Sequence, residues 1–116
     1  MDRRAFEGVV DEVLAELPNW AVERIHNLRV VVAERPTREQ DPDRALLGLY
    51  DGVSLPERGA EYLGAMPDTI YVFRQPHLEL GLYGDDLREE IRCTVLHELA
   101  HYFGIDDERL TELGWD

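Results

Sequence analysis

The chain has 116 residues, which is enough for one domain, and we expect residues 1–116 to form a single fold. Hydrophobic residues make up 44% of the sequence and charged residues 32%, a balance that is typical of a globular protein and excludes a disordered acidic tail. Twelve arginines stand against 25 aspartates and glutamates, so the net charge of −13 disfavours nucleic acids and anionic membranes as partners.

The sequence shows no membrane or export signal. No apolar run approaches the ~20 residues that a membrane-spanning helix needs, and residues 1–7 lack the apolar stretch of a signal peptide. We therefore predict a cytoplasmic protein. Cys93 is the single cysteine, which excludes an intrachain disulfide and a CxxC redox pair.

The N-terminal part of the chain predicts two helices and a strand. Apolar residues recur at three- and four-residue intervals within residues 2–17, the pattern of an amphipathic helix that ends before Pro18. Asn19 is placed to cap a short second helix that ends at about residue 24. The apolar, β-branched segment 28–33 predicts a strand that is covered on both faces.

The middle of the chain predicts two further strands. Residues 45–50 lead into an Asp-Gly turn dipeptide, and Gly48 within them indicates a bulge or a close backbone approach. Residues 69–73 are rich in aromatic and β-branched side chains and form the third predicted strand. Residues 76–84 show no clear period and are expected to form an ordered loop.

The C-terminal part predicts a long helix and a short one. Four apolar residues of the long helix recur at helical spacing and form one buried stripe. They are Leu87, Ile91, Val95 and Leu99. Asp86 and Glu89 have the spacing of a capping box, and Gly104 ends the helix. A last helix covers residues 107–113, with Asp106 as its better cap candidate.

These elements predict an α+β fold. We expect a small mixed sheet of three or four strands, with the long helix packed across one face. The N-terminal helix lies alongside the long helix in this arrangement.

The long helix carries the string His97-Glu98-Leu99-Ala100-His101. Two histidines four residues apart lie about 6 Å from each other along the helix axis, so both imidazoles can bind one metal ion. Neutral imidazole is a standard zinc ligand. Glu98 is rotated about 100° from His97, so its carboxylate can reach a water on the metal without competing for the metal itself.

A third ligand has to come from outside the helix, because a residue one more turn along would lie too far up the axis. Gly104 lets the chain turn back, and Asp107 can then point its carboxylate at the same metal. The full string HExxHxxGxxD arises by chance far more rarely than HExxH alone. We therefore predict one Zn²⁺ per chain, bound by His97, His101 and Asp107.

This string resembles the extended motif of zincin metallopeptidases in its Asp-zincin form, where an aspartate replaces the third histidine of metzincins. Over residues 25–115 the chain is also similar to a family of small bacterial zincin-like proteins, the minimal zincins. Three segments outside the motif carry this wider similarity. They are residues 47–52, 70–74 and 94–96.

The resemblance implies a zinc-dependent metallopeptidase acting on a peptide or protein substrate. It assigns His97, His101 and Asp107 as zinc ligands and Glu98 as the general base, which takes a proton from water and passes it to the leaving amine. Both methionines precede the motif, so no Met-turn of the metzincin kind is expected. The short segment after Asp107 predicts a cleft without a C-terminal wall.

Three alternatives to this interpretation remain open. The first is a metal-binding interaction module that hydrolyses nothing, and the second is a subunit whose protein partner completes the cleft. The third is a metal-dependent ribonuclease, because a ribosome-maturation ribonuclease family has the same ligand spacing. That family lacks a glutamate after the first histidine, and the acidic charge opposes RNA.

Other residues with reactive side chains favour structural roles. Cys93 precedes His97 by one turn but lies about 12 Å along the axis from His101, so it cannot share their metal. His26 and His77 are lone histidines, for which surface or packing roles are expected, with His77 the better candidate for lining the site. Four tyrosines belong to the core or its rim, and a phenol near the developing oxyanion would assist a zincin. They are Tyr50, Tyr71, Tyr83 and Tyr102.

Overall fold

The computed structural model describes residues 1–59 and 66–115. Within these residues the chain forms an α+β fold of five α-helices and three β-strands, which confirms the predicted class. The elements in chain order are α1 (Arg3–Ala15), α2 (Asn19–Arg24), β1 (Leu28–Ala33), β2 (Gly48–Asp51), the 3-10 turn Leu55–Glu57, β3 (Asp68–Phe73), α3 (Arg74–Leu78), α4 (Gly84–Phe103) and α5 (Asp107–Leu113).

The three strands form a mixed sheet in the order β1-β3-β2. The central strand β3 runs parallel to β1 and antiparallel to β2, with Gly48 opposite Val72. Five of the six residues of β3 are buried because the strand lies in the middle of the sheet. In β1 only Val32 is buried, so the prediction that both faces of this strand are covered is wrong. An edge strand has neighbours on one side only, and its side chains are correspondingly more exposed.

One face of the sheet carries the main hydrophobic core. The predicted stripe of α4 is fully buried there together with Ile70 and Val72 of β3, which confirms the helical pattern. The helix α1 packs against α4 and contributes four buried side chains to the same core. They are Phe6, Val9, Val10 and Val13. This packing holds α4 rigidly across the sheet, so the motif lies on a fixed support.

The two ends of α4 differ in how well the sequence predicted them. The helix begins after Tyr83 without a side-chain cap, so the capping box at Asp86 is wrong, although the first-turn position of Asp86 still suits the helix dipole. The helix ends at Gly104, which has φ 73° and ψ 30°, as predicted. The N–H of Ile105 then donates to the carbonyl of Ala100 at 2.9 Å and closes the last turn.

The short helices α2 and α3 differ from what the sequence predicted. Residues 74–78 form α3 directly after β3, whereas the loop was expected to begin at Pro76; the proline fits because it lies in the first turn of that helix. Asn19 is the first helical residue of α2 and forms no cap, since Pro18 takes the preceding position. Among the described residues, no helix has the length and apolarity to cross a bilayer.

Candidate metal centre

The last two turns of α4 bring together His97, Glu98 and His101. One possible ligand atom from each side chain lies within 4.8 Å of the other two. The imidazole centroids of the two histidines are 4.7 Å apart, and their planes cross at 71°. Both histidines are exposed whereas Glu98 is buried. The arrangement follows from helix geometry, because residues four apart share one face.

The carboxylate of Glu98 orients the second histidine. Its Oε1 lies 3.1 Å from Nδ1 of His101. An ionised carboxylate only accepts hydrogen bonds, so the proton of a neutral His101 is on Nδ1 in this contact. The lone pair of Nε2 is then available to a metal, which is the arrangement that carboxylates commonly impose on ligating histidines.

The donor set fits zinc, since two imidazole nitrogens together with a carboxylate form a common catalytic zinc site. His97 and His101 supply both imidazoles from one helix face. Asp107 is the first residue of α5, has an exposed side chain and lies outside the group of three. Its place as third ligand stays a prediction.

Asp106 caps α5 as predicted, because its carboxylate accepts a hydrogen bond from the N–H of Arg109 at 2.8 Å.

Strand β2 approaches α4 closely at Gly48. A Cβ atom on Gly48 would lie 2.6 Å from the Cγ2 methyl of Thr94 and 3.2 Å from Cγ of Glu98. Real Cβ atoms do not come so near to other atoms, so any larger residue would push the strand and the helix apart. The close backbone approach predicted at this glycine is confirmed.

A cavity of about 510 Å³ opens beside this contact. Residues 45–48 form one wall, and one face of α4 forms the other. The residues that α4 contributes are Glu90, Cys93, Thr94, His97 and Glu98. The volume is within the range of small-molecule and substrate pockets, ~300–1,000 Å³. Two residues of the motif therefore border a space large enough for a substrate side chain.

The sequence agrees with a defined family. The family model for zincin-like metallopeptidases matches residues 25–115. This chain belongs to the zincin-like metallopeptidase family. The matched span contains the group of three and Asp107, and it coincides with the resemblance drawn from the sequence.

A solved structure shares the fold of this zincin-like chain. It is a conserved hypothetical protein from T. thermophilus, with a TM-score of 0.56 and 24% sequence identity. The similarity covers 99% of this chain and 100% of that one. No curated protein matches the sequence.

His77 supports the zincin-like site from behind the cavity wall. The side chain is fully buried, with Nδ1 2.7 Å from the carbonyl of Phe73 and Nε2 2.9 Å from the hydroxyl of Thr94. Burial lowers the pKa of His77 below its usual value. The carbonyl can only accept, so neutral His77 carries its proton on Nδ1, and its Nε2 faces the Thr94 hydroxyl, which also donates to the carbonyl of Glu90 at 3.0 Å. The expected packing role is confirmed, and the contact fixes the side chain of Thr94 in the cavity wall.

A buried polar network ties β2 to the end of α4. The carboxylate of Asp68, only 2% exposed, accepts hydrogen bonds from the hydroxyl of Tyr50 and, at 2.8 Å, from the guanidinium of Arg58. Arg58 also lies over the ring of Tyr102, whose hydroxyl donates to the carbonyl of His26 at 2.6 Å. Burial and Asp68 hold the pKa of Tyr50 above its usual range. Both phenols are thus engaged in structural hydrogen bonds.

The other two tyrosines considered from the sequence lie on β3 and just before α4. Tyr71 stacks on Phe73 with ring centroids 5.9 Å apart. Tyr83 precedes α4 with an exposed side chain, about 20 Å along the helix axis from His97. None of the four phenols hydrogen-bonds to His97, Glu98 or His101 within the described residues.

Proposed function

We propose that this chain is a zinc-dependent metallopeptidase that hydrolyses peptide bonds in peptide or protein substrates. The observation that carries the proposal is the group of His97, Glu98 and His101, in which the carboxylate is buried at the border of the cavity. Membership of the zincin-like metallopeptidase family supports it. The donor chemistry of the site supports zinc as the metal.

Each residue of the motif has a separate role in the proposal. His97 and His101 hold the zinc ion, and Asp107 serves as the third protein ligand. Zinc, when bound, supplies a Lewis acid that polarises the scissile carbonyl and makes water more acidic. The hydrogen bond from His101 engages only Oε1 of Glu98, so Oε2 remains available for proton transfer.

Glu98 acts as the general base and then as the general acid. Its carboxylate accepts a proton from the attacking water while the water oxygen bonds to the carbonyl carbon of the substrate. The C–N bond then breaks, and Glu98 returns the proton to the leaving nitrogen. The products are a carboxylic acid and an amine. Gly48 lies so near that an added Cβ would come within 3.2 Å of Cγ of Glu98, so β2 limits the space open to this side chain at the border of the cavity.

Strand β2 offers a place for an extended substrate. It is an edge strand of the described sheet. Its pairing with β3 includes a hydrogen bond of 2.9 Å from the N–H of Phe73 to the carbonyl of Leu47. Along an antiparallel edge, residues that bond to the neighbouring strand alternate with residues whose backbone groups face outward. Because Leu47 bonds to β3, the backbone N–H and C=O groups of Gly48 and Tyr50 point away from β3. A peptide can add to this edge as a further strand, next to Glu98.

The test begins with zinc binding. Elemental analysis of dialysed protein should find one zinc per chain in the wild type, and His97→Ala and His101→Ala should bind far less. The zinc-loaded wild type is then offered a library of unstructured peptides and a pool of single-stranded RNA. Glu98→Gln should fold and retain zinc but lose about 10²- to 10⁴-fold in peptide hydrolysis. Glu89→Gln is the matched control, because it removes the same charge from an exposed position of α4. This variant should keep its activity.

Three other results would replace the proposal. RNA cleavage that survives Glu98→Gln would favour the ribonuclease. Cleavage of neither pool by protein that holds one zinc would favour the interaction module or the subunit that needs a partner. Zinc binding that is unaffected by loss of either histidine would place the metal elsewhere.

A further inference from the structure

We propose that the cavity beside Glu98 accepts a long cationic side chain of the substrate, arginine or lysine, and that Glu90 recognises its charge. The inference rests on the proposed function, because it names the substrate residue that the peptidase selects. It is carried by three properties of the cavity, namely its length, the character of its walls and the charge at its far end.

The length of the cavity calls for a long side chain. Glu90 and His97 both line it, and they lie on the same face of α4, seven residues apart. This spacing corresponds to two helical turns and to about 10 Å along the axis. A substrate residue next to the cleaved bond, held beside His97 and Glu98, can reach Glu90 only if its side chain is long.

The walls between the two ends are largely apolar. Ala45, Leu46 and Leu47 line one side, and Cys93 and Thr94 line the other. Burial raises the pKa of the Cys93 thiol, so it stays uncharged at neutral pH. Arginine and lysine place an alkyl stem along apolar surface and keep the charge at the tip. Such a side chain matches the cavity along its whole length.

The far end of the cavity holds a negative charge that no described residue neutralises. Glu90 is half-buried, and within the described residues its carboxylate makes no ion pair or hydrogen bond. The adjacent Glu89 differs, since it pairs with Arg92 at 3.0 Å on the more exposed side of the helix. No arginine is among the described residues that line the cavity. A cationic group can therefore form a charge-assisted hydrogen bond with Glu90, whereas an acidic side chain is repelled.

The first arm of the test measures binding without cleavage. Zinc-loaded, ¹⁵N-labelled protein is titrated with Nα-acetyl-arginine methylamide and with its citrulline analogue, which has nearly the same shape but no charge. We expect the arginine compound to bind at least about tenfold more tightly and to shift the amide signals of Cys93 and Thr94. Glu90→Gln should remove this preference, whereas Glu89→Gln, which removes the same charge one residue away, should retain it.

The second arm measures cleavage of peptides that differ only by arginine, citrulline, leucine or glutamate beside the scissile bond. The arginine peptide should have the highest kcat/KM, and Glu90→Gln should bring the arginine and citrulline values together. Equal affinities for the two small compounds, no binding of the arginine compound, or equal effects of the two variants would overturn the inference. If no peptide is cleaved, the proposed function fails, but the first arm still decides whether Glu90 recognises a cation.

Discussion

Gly48 of β2 faces Glu98 of α4 across a gap too narrow for a Cβ atom. A side chain of even one carbon on Gly48 would come within 3.2 Å of Cγ of Glu98 and within 2.6 Å of the Thr94 methyl. The helix α4 lies in the packed core and Tyr50 of β2 packs against that core, so neither element can move away at low cost. This contact therefore sets the distance between one wall of the cavity and the proposed general base.

Gly48→Ala should destabilise the protein and impair hydrolysis. Inserting a methyl group into a packed contact costs typically ~1–3 kcal/mol, and the displaced Glu98 would no longer be aligned with the substrate. Urea denaturation and peptide hydrolysis measure the two effects. Gly8→Ala is the matched control, because a Cβ on Gly8 meets nothing within 4 Å and alanine favours the helix α1 by up to ~1 kcal/mol. Equal stability changes in the two variants would contradict the close contact.

The sequence predicted most of the fold because the strongly periodic segments also form the core. The apolar stripe of α4 has a period that only a helix fits, and the residues 69–73 have a composition that favours a strand. Both elements begin and end within a residue or two of the predicted bounds. The corrections concern short segments such as α3, where five residues are too few to show a period. The exposure of β1 depends on strand order, which local patterns do not encode.

The site was predictable where a single helix determines it. His97, Glu98 and His101 come together because helical spacing alone puts them on neighbouring positions. Contacts made across the fold, such as Gly48 with Glu98, arise from packing between distant segments. The spacing of residues along the chain does not specify which partner lies opposite, so the support from His77 was found only in the structure.

Gly104→Ala should cost more stability than Gly114→Ala. Both glycines end a helix with φ near 73°, a conformation that disfavours every residue with a Cβ. A Cβ on Gly104 would also lie 2.6 Å from Cγ of Pro56, whereas one on Gly114 would meet nothing within 4 Å. Gly114→Ala should therefore lose about 1 kcal/mol and Gly104→Ala clearly more, as measured by urea denaturation. Similar losses of stability in the two variants would mean that Pro56 can move away from residue 104 without a cost in free energy.

The protein should lose stability below about pH 6.5 through His77. Burial lowers the pKa of this histidine in the folded state, while the unfolded chain keeps a value near ~6.5. As the pH falls below that value, the unfolded state binds a proton that the folded state does not, so the free energy of unfolding falls by at most ~1.4 kcal/mol per pH unit. Above that pH His77 is neutral in both the folded and the unfolded state, so its protonation no longer lowers the free energy of unfolding.

An NMR titration of the His77 ring protons checks the cause directly. The midpoint should lie below 6.5, the usual value for histidine. Urea denaturation between pH 5 and 8 should show the loss of stability over the corresponding interval. A midpoint at or above the usual value would show that the hydrogen bond to Phe73 and the nearby charge of Glu90 outweigh burial.

The two adjacent aspartates at the start of α5 should respond differently to replacement by alanine. Asp106 caps the helix through the N–H of Arg109, whereas the exposed Asp107 is the proposed third zinc ligand. Asp107→Ala should weaken zinc binding by at least ~10-fold, because the site loses a charged ligand. Asp106→Ala removes the same charge one position away but should cost only the cap, ~1 kcal/mol of stability. Competition with a chromophoric chelator measures the zinc affinities, and urea denaturation measures the stabilities. Equal zinc affinities, or a larger loss at Asp106, would mean that the chain leaves Gly104 along a different path from the one a zinc ligand at Asp107 requires.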